Sequence, residues 1–429
     1  MPESPNPGAG RVLALMCGGM FLVLLDVTIV NVALPDIQRG LHTDVAGLQW
    51  VVDGYAVAIA SLLLAAGTIG DRHGHRRVLL LGFTVFGAAS LACAVAPTVG
   101  VLIAARVAQG VGGALLLPST MAIIADAYPD RAEQARAIGI WAAASSLALP
   151  AGPLLGGLLV DSIGWRVIFW INVPLVVAIV VAALRMVPHA PGRGSGRFDR
   201  VGVLCFAATV AGVVFTVIAI GHGEPAPVWI ATAVVTVLAA VLGARQERRV
   251  EHPVLPWQLL RRRAFSYPNA VAFTMNCVFN GTLFVGMLYL QRIRHDSPLL
   301  AGALVLPMAI PLVALAPVSA RITAARGPRT AITTGCLVAA AGSLAIAGQS
   351  VSGTLVWFVS GLALMGLGAG LVTASVVAAV VRATPADRSG LATGMSNTSR
   401  QIGTATGVAL FGAVAGSTAK AADFVGAMH

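Results

Sequence analysis

The apolar residues of this 429-residue chain are gathered into blocks of about 17–28 residues, the length a helix needs to cross roughly 30 Å of hydrocarbon. Thirteen blocks can be marked: 12–35, 48–70, 78–95, 99–125, 137–160, 167–184, 201–220, 228–244, 270–290, 299–320, 330–347, 354–381 and 390–415. Inside a bilayer the backbone has no water to bond. A crossing segment must satisfy its own amides, and blocks of this length do so as helices. A transmembrane barrel would show shorter segments of alternating polarity. The composition agrees: 57% of residues are hydrophobic and 10% are charged, against about a quarter charged in an ordinary soluble domain. The first block is too long for a cleaved leader, lacks a small-residue cleavage site and is followed by twelve more. The expectation is an all-α, multi-pass membrane protein.

The net charge of +11 would suit a nucleic-acid partner if it were concentrated on one soluble face. Its distribution is different. With the N-terminus placed on the cytoplasmic side, 21 of the 28 Lys and Arg fall in cytoplasmic segments and five in external ones. The other two, Arg106 and Arg400, lie within blocks. This bias sets orientation. It predicts a cytoplasmic N-terminus in a bacterial plasma membrane, a lipid surround and no nucleic acid. The five cysteines (Cys17, Cys93, Cys205, Cys277, Cys336) all fall within blocks and lack zinc-site spacing, so they read as small apolar fillers, with no disulfide and no metal.

Two segments divide the blocks into six, two and five. Residues 185–200 carry four Arg among Pro188, Pro191, Gly192, Gly194 and Gly196. Residues 245–265 mix apolar and basic side chains, which suits a short helix at the interface. The domain plan is a six-helix bundle at 1–184, a cytoplasmic linker at 185–200, two extra linker helices at 201–244, a cytoplasmic loop at 245–265, a C-terminal bundle at 266–416 and a tail at 417–429. The two bundles read as copies. At an offset of 256, Gly110 matches Gly366, Gly112 matches Gly368 and Pro129 matches Pro385, while Asp130-Arg131 and Asp387-Arg388 are one residue out of step. Parallel repeats about an axis along the membrane normal are a known transporter plan, with substrate bound between them near the midplane. The second copy has five blocks, and residues 417–429 are too few to add a sixth, so either the chain is truncated, which is the preferred expectation, or its C-terminus is external and the half is built differently.

Asp26 lies within a block, where a charge costs roughly 2.5–3.5 kcal/mol on insertion scales. A carboxyl kept there points to binding of a proton or cation. Arg106 is always ionised and needs a partner or a watery cavity. At 1.5 Å per residue Asp26 lies about 13 Å and Arg106 about 12 Å below the outer ends of their helices, so they share a depth; Asp53 is shallower, at about 8 Å. Desolvation raises a carboxyl pKa and a nearby cation lowers it, so small movements of Arg106 would switch protonation of Asp26. A permanent structural ion pair is the other reading.

Three strings carry a family resemblance. Gly67-Thr-Ile-Gly-Asp-Arg-His-Gly-His-Arg-Arg77, with Gly67, Gly70, Asp71, Arg72, Gly74, Arg76 and Arg77, resembles motif A of the major facilitator superfamily. In that family it forms a cytoplasmic latch that stabilises the outward-facing state. His75 stands where the family usually has Arg or Lys. Arg106-Val-Ala-Gln-Gly-Val-Gly-Gly113 resembles motif B. Ala148-Leu-Pro-Ala-Gly-Pro-Leu-Leu-Gly-Gly157 resembles motif C, the antiporter signature, with Ala148 in place of its first Gly. Gly152, Gly156 and Gly157 are expected to form one flat packing face, and Pro153 a kink point. The strings 25–35, 49–55, 164–174 and 397–403 are similar to the fourteen-helix drug:proton antiporter branch, the EmrB/QacA type, of which the last helix is missing here.

The resemblance implies a major facilitator fold and proton-coupled export of hydrophobic drugs or related small organic molecules by alternating access, with protons as the coupling ion and no other cofactor. Asp26, Arg106 and Asp53 are the coupling candidates. Asn31, Tyr55, Gln109, Asn276, Asn280 and Arg400 are cavity candidates, beside the apolar Phe273, Met275, Phe279, Phe284 and Met287. No obligate protein partner is evident. Export of one endogenous metabolite remains open, as does an inactive or non-transporting membrane protein. The common hydrolase strings and a Walker A loop do not occur, so the chain is not read as an enzyme.

Overall fold

The computed structural model describes residues 8–188, 199–221, 223–249, 257–348, 355–384 and 389–416. Within them every regular element is helical. α1 (Ala9–Leu41) is about 50 Å long, more than the hydrocarbon requires. α2 (Val45–His73) starts at Asp44, whose carboxylate accepts the Gly47 amide at 2.9 Å. α3 (His75–Ala94) follows after Gly74 alone; its φ of +88° is where glycine has no Cβ to strain. α4 (Val99–Ala127) is capped by the Thr98 hydroxyl. The fifth span is broken at Leu147 into α5 (Arg131–Ser146) and α6 (Ala148–Ser162), and the sixth at Ile171 into α7 (Val167–Trp170) and α8 (Asn172–Met186).

α9 (Arg200–Gly221) and α10 (Ala226–Glu247) occupy the segment expected to hold two linker helices. The expected interfacial helix is the single turn α11 (Trp257–Leu260), and residues 250–256 lie outside the described residues. α12 (Arg263–Leu288) runs into a π-helical turn at Tyr289–Ile293. The next span is broken twice, into α13 (Pro298–Leu304), α14 (Leu306–Ala314) and α15 (Ala316–Arg326), each with a Pro in its first turn. α16 (Pro328–Ala347), α17 (Val356–Arg382) and α18 (Ser389–Gly416) complete the chain. Among the described residues twelve spans are long and apolar enough to cross a membrane. The expected thirteenth, α18, is 28 residues long but less apolar, because it carries the run Ser396-Asn-Thr-Ser-Arg-Gln401. The count of thirteen is therefore approximate.

The repeat read from glycine spacing reappears as packing. A Cβ on Gly112 would stand 2.7 Å from the Phe86 amide on α3, and one on Gly368 2.7 Å from the Ala339 amide on α16. A Cβ on Gly110 would press on Ala58 of α2 at 2.8 Å, and one on Gly366 on the Met308 carbonyl carbon of α14 at 2.8 Å. Matching glycines thus bring matching helix pairs into backbone contact. Pro385 lies outside the described residues.

The two bundles meet along α2–α18 and α6–α13, and α9 packs on both α2 and α18. The largest apolar cluster spans both bundles at one end. It joins Ile29, Val32, Leu34 and Ile37 of α1 to Phe284, Met287, Leu288, Val305 and Met308 of the second bundle. Hydrogen bonds cross there too: Gln49 Nε2 donates to the Val408 and Ala409 carbonyls at 3.0 and 2.7 Å, and Gln291 Nε2 to the Val32 carbonyl at 2.9 Å. Towards the α2–α3 turn the apolar clusters each stay within one bundle.

Gly112→Leu and Gly368→Leu are expected to lower the melting temperature of the detergent-solubilised protein by several degrees, since overpacking costs about 1–3 kcal/mol. Gly100→Leu, with nothing within 4 Å of its Cβ position, should leave it unchanged. Thermal unfolding of the three variants checks this.

Candidate functional site: a buried charge network and an unpartnered carboxyl

Five helices converge on Arg106, which is 1% exposed, as is Asp26. Arg106 Nη1 donates to Asp26 Oδ2 and, at 2.7 Å, to Gln109 Oε1. Its Nε donates to the Val51 carbonyl at 3.0 Å. The Tyr55 ring lies 4.3 Å from the guanidinium carbon, within cation–π range. Asp26 Oδ1 accepts from Gln109 Nε2 at 2.8 Å and from Asn172 Nδ2 at 2.9 Å. Ser90 Oγ accepts from the same two amides at 2.8 and 3.4 Å. Gln109 stands one turn after Arg106, so both project from the same face of α4. The break at Ile171 makes Asn172 the first residue of α8 and brings it into the network. In a low-dielectric interior an ion pair is tolerable only when its remaining donors and acceptors are satisfied, and here the carboxylate has three donors.

Asp53 is placed differently. It is 0% exposed, and neither of its carboxylate oxygens has a hydrogen-bond partner. It shares a stripe of α2 with Gln49, Ala56, Val57 and Ala60. Gln49 bonds to α18, and the three apolar residues pack against Ala405 and Ala409 of α18 and Val214 and Ile218 of α9. Asp53 therefore lies at the seam between the bundles, while the Asp26–Arg106 pair lies inside the first.

Residues 16–408 match the profile of the Major Facilitator Superfamily. The chain belongs to that superfamily. It is a membrane transporter and not an enzyme. It is 37% identical over 416 residues to the methylenomycin A resistance protein of Streptomyces coelicolor, covering 96% of this chain and 86% of that protein. It is 35% identical over 402 residues to the multidrug resistance protein Stp of Mycobacterium tuberculosis, covering 92% and 74%. The crystal structure of the human organic anion transporter MFSD10 (TETRAN) has the same fold, with a TM-score of 0.66 at 16% identity over 99% of this chain and 97% of that one.

The superfamily motifs can now be placed. In motif A, Gly74 makes the turn, and a Cβ on Gly70 would collide with the His75 ring. His75 Nε2 pairs with Asp71 Oδ1 at 3.0 Å, and the Asp71 side chain is 69% exposed. Arg76 donates to the Leu184 carbonyl of α8 at 2.7 Å, within the same bundle. Gly67 makes only ordinary contact with Pro118, and Arg72 and Arg77 are exposed. The motif C glycines do not form the single face expected. Gly152 and Gly156 press on α1, with Cβ positions 3.1 Å from the Ile29 amide and carbonyl. Gly157 presses on α13, 2.7 Å from the Pro298 carbonyl, and Gly302 of α13 packs on Pro153 in turn. Two faces result because Gly156 and Gly157 are adjacent and so about 100° apart on a helix.

The cavity candidates also divide. Tyr55 and Gln109 belong to the sealed network, and Asn31 is 5% exposed with its amide on the Val27 carbonyl. Phe284 and Met287, both 0% exposed, are packed into the joined end. Asn276, Asn280 and Arg400 are half-buried. Ser90 and Asn172 were not anticipated as site residues. Ser90 carries no signal in an apolar block, whereas Asn172, a polar residue in the string 164–174, was a signal available to be read.

Arg106→Gln leaves the Asp26 carboxylate buried without its cation and is expected to destabilise the protein by about 3–5 kcal/mol. Adding Asp26→Asn should recover part of that loss. Denaturation of the single and double variants in detergent measures the coupling.

Proposed function

We propose that this transporter is a proton-coupled antiporter of the fourteen-span branch, exporting small hydrophobic organic molecules from the cytoplasm across a bacterial plasma membrane, with its N-terminus inside. The relatives named for drug and antibiotic resistance support the cargo class. The strings 25–35, 49–55, 164–174 and 397–403 support the branch. The single observation that carries the coupling mechanism is Asp53, a sealed carboxyl without partners at the seam between bundles.

On this reading the structure is the inward-open state. The joined end is external, the α2–α3 turn is cytoplasmic, and the motif A latch is disengaged, with Asp71 held by His75 of its own bundle. An ionised Asp53 would bring water into the α2–α18 seam, since an unpaired buried charge is far costlier than a neutral acid. Proton uptake from outside neutralises Asp53 and lets α2 close on α18. Closure turns the cavity inward, where cytoplasmic substrate binds and the proton is released. Asp26, held by Arg106, Gln109 and Asn172, takes part when movement of α4 withdraws its cation.

In everted vesicles Asp26→Asn is expected to abolish uphill, proton-driven transport at unchanged protein level; normal transport would remove Asp26 from the mechanism. Asp53→Asn should hold the external end closed at every pH. A cysteine at Val305, 2% exposed in this state, should then resist maleimide from pH 5 to 9, and pH-responsive labelling in that variant would rule out the proposed role. Relatives named for one antibiotic, methylenomycin A or tetracenomycin C, favour a second reading in which one metabolite is the cargo. Competition by a chemically diverse panel separates the two.

A further inference from the structure

We propose that Arg400, with the amide stripe of α12, forms an anion-recognition subsite, and that the exported molecule is an organic acid carrying a carboxylate. The inference deepens the exporter reading and rests on it.

The second bundle has an imbalance of charge. Between residues 263 and 416 the acids are Asp296 and Asp387. Asp296 pairs with Arg294 beyond the end of α12. Asp387 precedes α18 and lies outside the described residues. Arg400 sits eleven residues into α18, roughly 16 Å from its start. Its guanidinium has no hydrogen-bond or ion-pair partner among the described residues, in contrast to Arg106, which has three polar partners and a ring. An always-ionised fork in hydrocarbon needs a counter-ion or water, and the protein supplies Arg400 with no carboxylate.

The neighbouring polar groups line one face. Asn269, Phe273, Asn276, Asn280, Phe284 and Met287 follow at steps of three or four, so they form a single stripe of α12, with Gln291 beyond them in the π-helical turn. At the joined end Phe284, Met287 and Gln291 meet the first bundle. Asn276 and Asn280 stand half-buried further along this stripe, and Asn280 turns towards α18. α18 packs tightly on α12, with the Cβ position of Gly403 3.0 Å from Phe273 Cα and that of Gly407 2.8 Å from Cys277 Cα. Thr404 Oγ1, one turn after Arg400, accepts from Asn280 Nδ2 at 3.1 Å. This places the unpaired cation, a hydroxyl and carboxamides on neighbouring turns of two helices that run together. Guanidinium forks bind carboxylates bidentately, and the Asn276 amide, with one hydrogen on the Ala272 carbonyl at 2.8 Å, keeps a second for the rest of a polar head.

The other charges reinforce the choice. Asp26 and Arg106 cancel, so with Asp53 neutral the membrane interior keeps one net cation, Arg400. A lipophilic cation entering this state would meet repulsion at low dielectric, and an acid would meet its counter-ion.

The test uses the full-length protein in detergent and in proteoliposomes, with 2-naphthoate, its carboxamide and 2-naphthylmethylammonium as probes. The expected result is tightest binding of 2-naphthoate. Arg400→Gln should weaken that binding at least tenfold while changing carboxamide binding less than twofold, and Arg400→Lys should restore a substantial part. Equal weakening of both probes by Arg400→Gln would show a structural residue and overturn the inference. So would tighter wild-type binding of the ammonium probe. If the wild type moves the ammonium or carboxamide probe under an imposed pH gradient but not 2-naphthoate, the exporter reading stands and this inference fails. If it binds 2-naphthoate through Arg400 but a pH gradient moves no probe, the subsite stands and the proton-coupled reading fails. Absence of both binding and transport sinks both.

Discussion

A guanidinium inside hydrocarbon cannot lose its charge, so the protein has to be built around it. Arg106 is that group. Its needs draw Asp26 from α1, the Val51 carbonyl and Tyr55 ring from α2, Gln109 from its own helix and, through shared amides, Ser90 of α3 and Asn172 of α8. The network is closed: each of its polar atoms answers another. That makes the first bundle a unit whose internal packing resists change, because withdrawing any one member strands a charge or an amide at low dielectric.

Asp53 has no such answer, and its position explains why the contrast matters. It lies where α2 meets α18, so on the proposed mechanism its charge state would act on the contact between bundles and not on the packing within one. The seam itself is apolar for the most part. An apolar cluster, two glutamines and the Gly157–Pro298 approach hold the joined end. None of these is an ion pair, and sliding apolar surfaces apart costs less than separating buried charges. Strong electrostatics inside a bundle and weak, dry packing between bundles is the division of labour that rigid-body rocking requires.

Much of this was legible in the chain. Block lengths alone specified helices, because nothing else closes its hydrogen bonds in a bilayer. The 256-residue offset of Gly110 and Gly112 pointed to a repeat, and the same glycines prove to sit at equivalent helix crossings. Asp26 and Arg106 were paired from depth alone. Other features were not legible. The breaks at Leu147 and Ile171 fall beside Ser145-Ser146 and Asn172, polar residues that permit a break in an apolar block without specifying one. The split of motif C between α1 and α13 depends on helix rotation, which neither spacing nor composition reports. Gln109 and Tyr55 read as cavity residues because polar groups in a span line either water or another polar group, and only packing distinguishes the two.

By itself, then, the sequence determined that this chain is a membrane-spanning bundle of repeated helices, since bilayer thickness and backbone hydrogen bonding leave one solution for blocks of that length. It also determined which ionisable groups lie inside, because their cost in hydrocarbon marks them. Only the tertiary structure decided which of those groups are paired: Arg106 with Asp26, and neither Asp53 nor Arg400 with anyone among the described residues. Pairing depends on the rotation and separation of helices far apart in the chain. Those are set by close contacts between small residues on different spans, and local sequence carries no record of them.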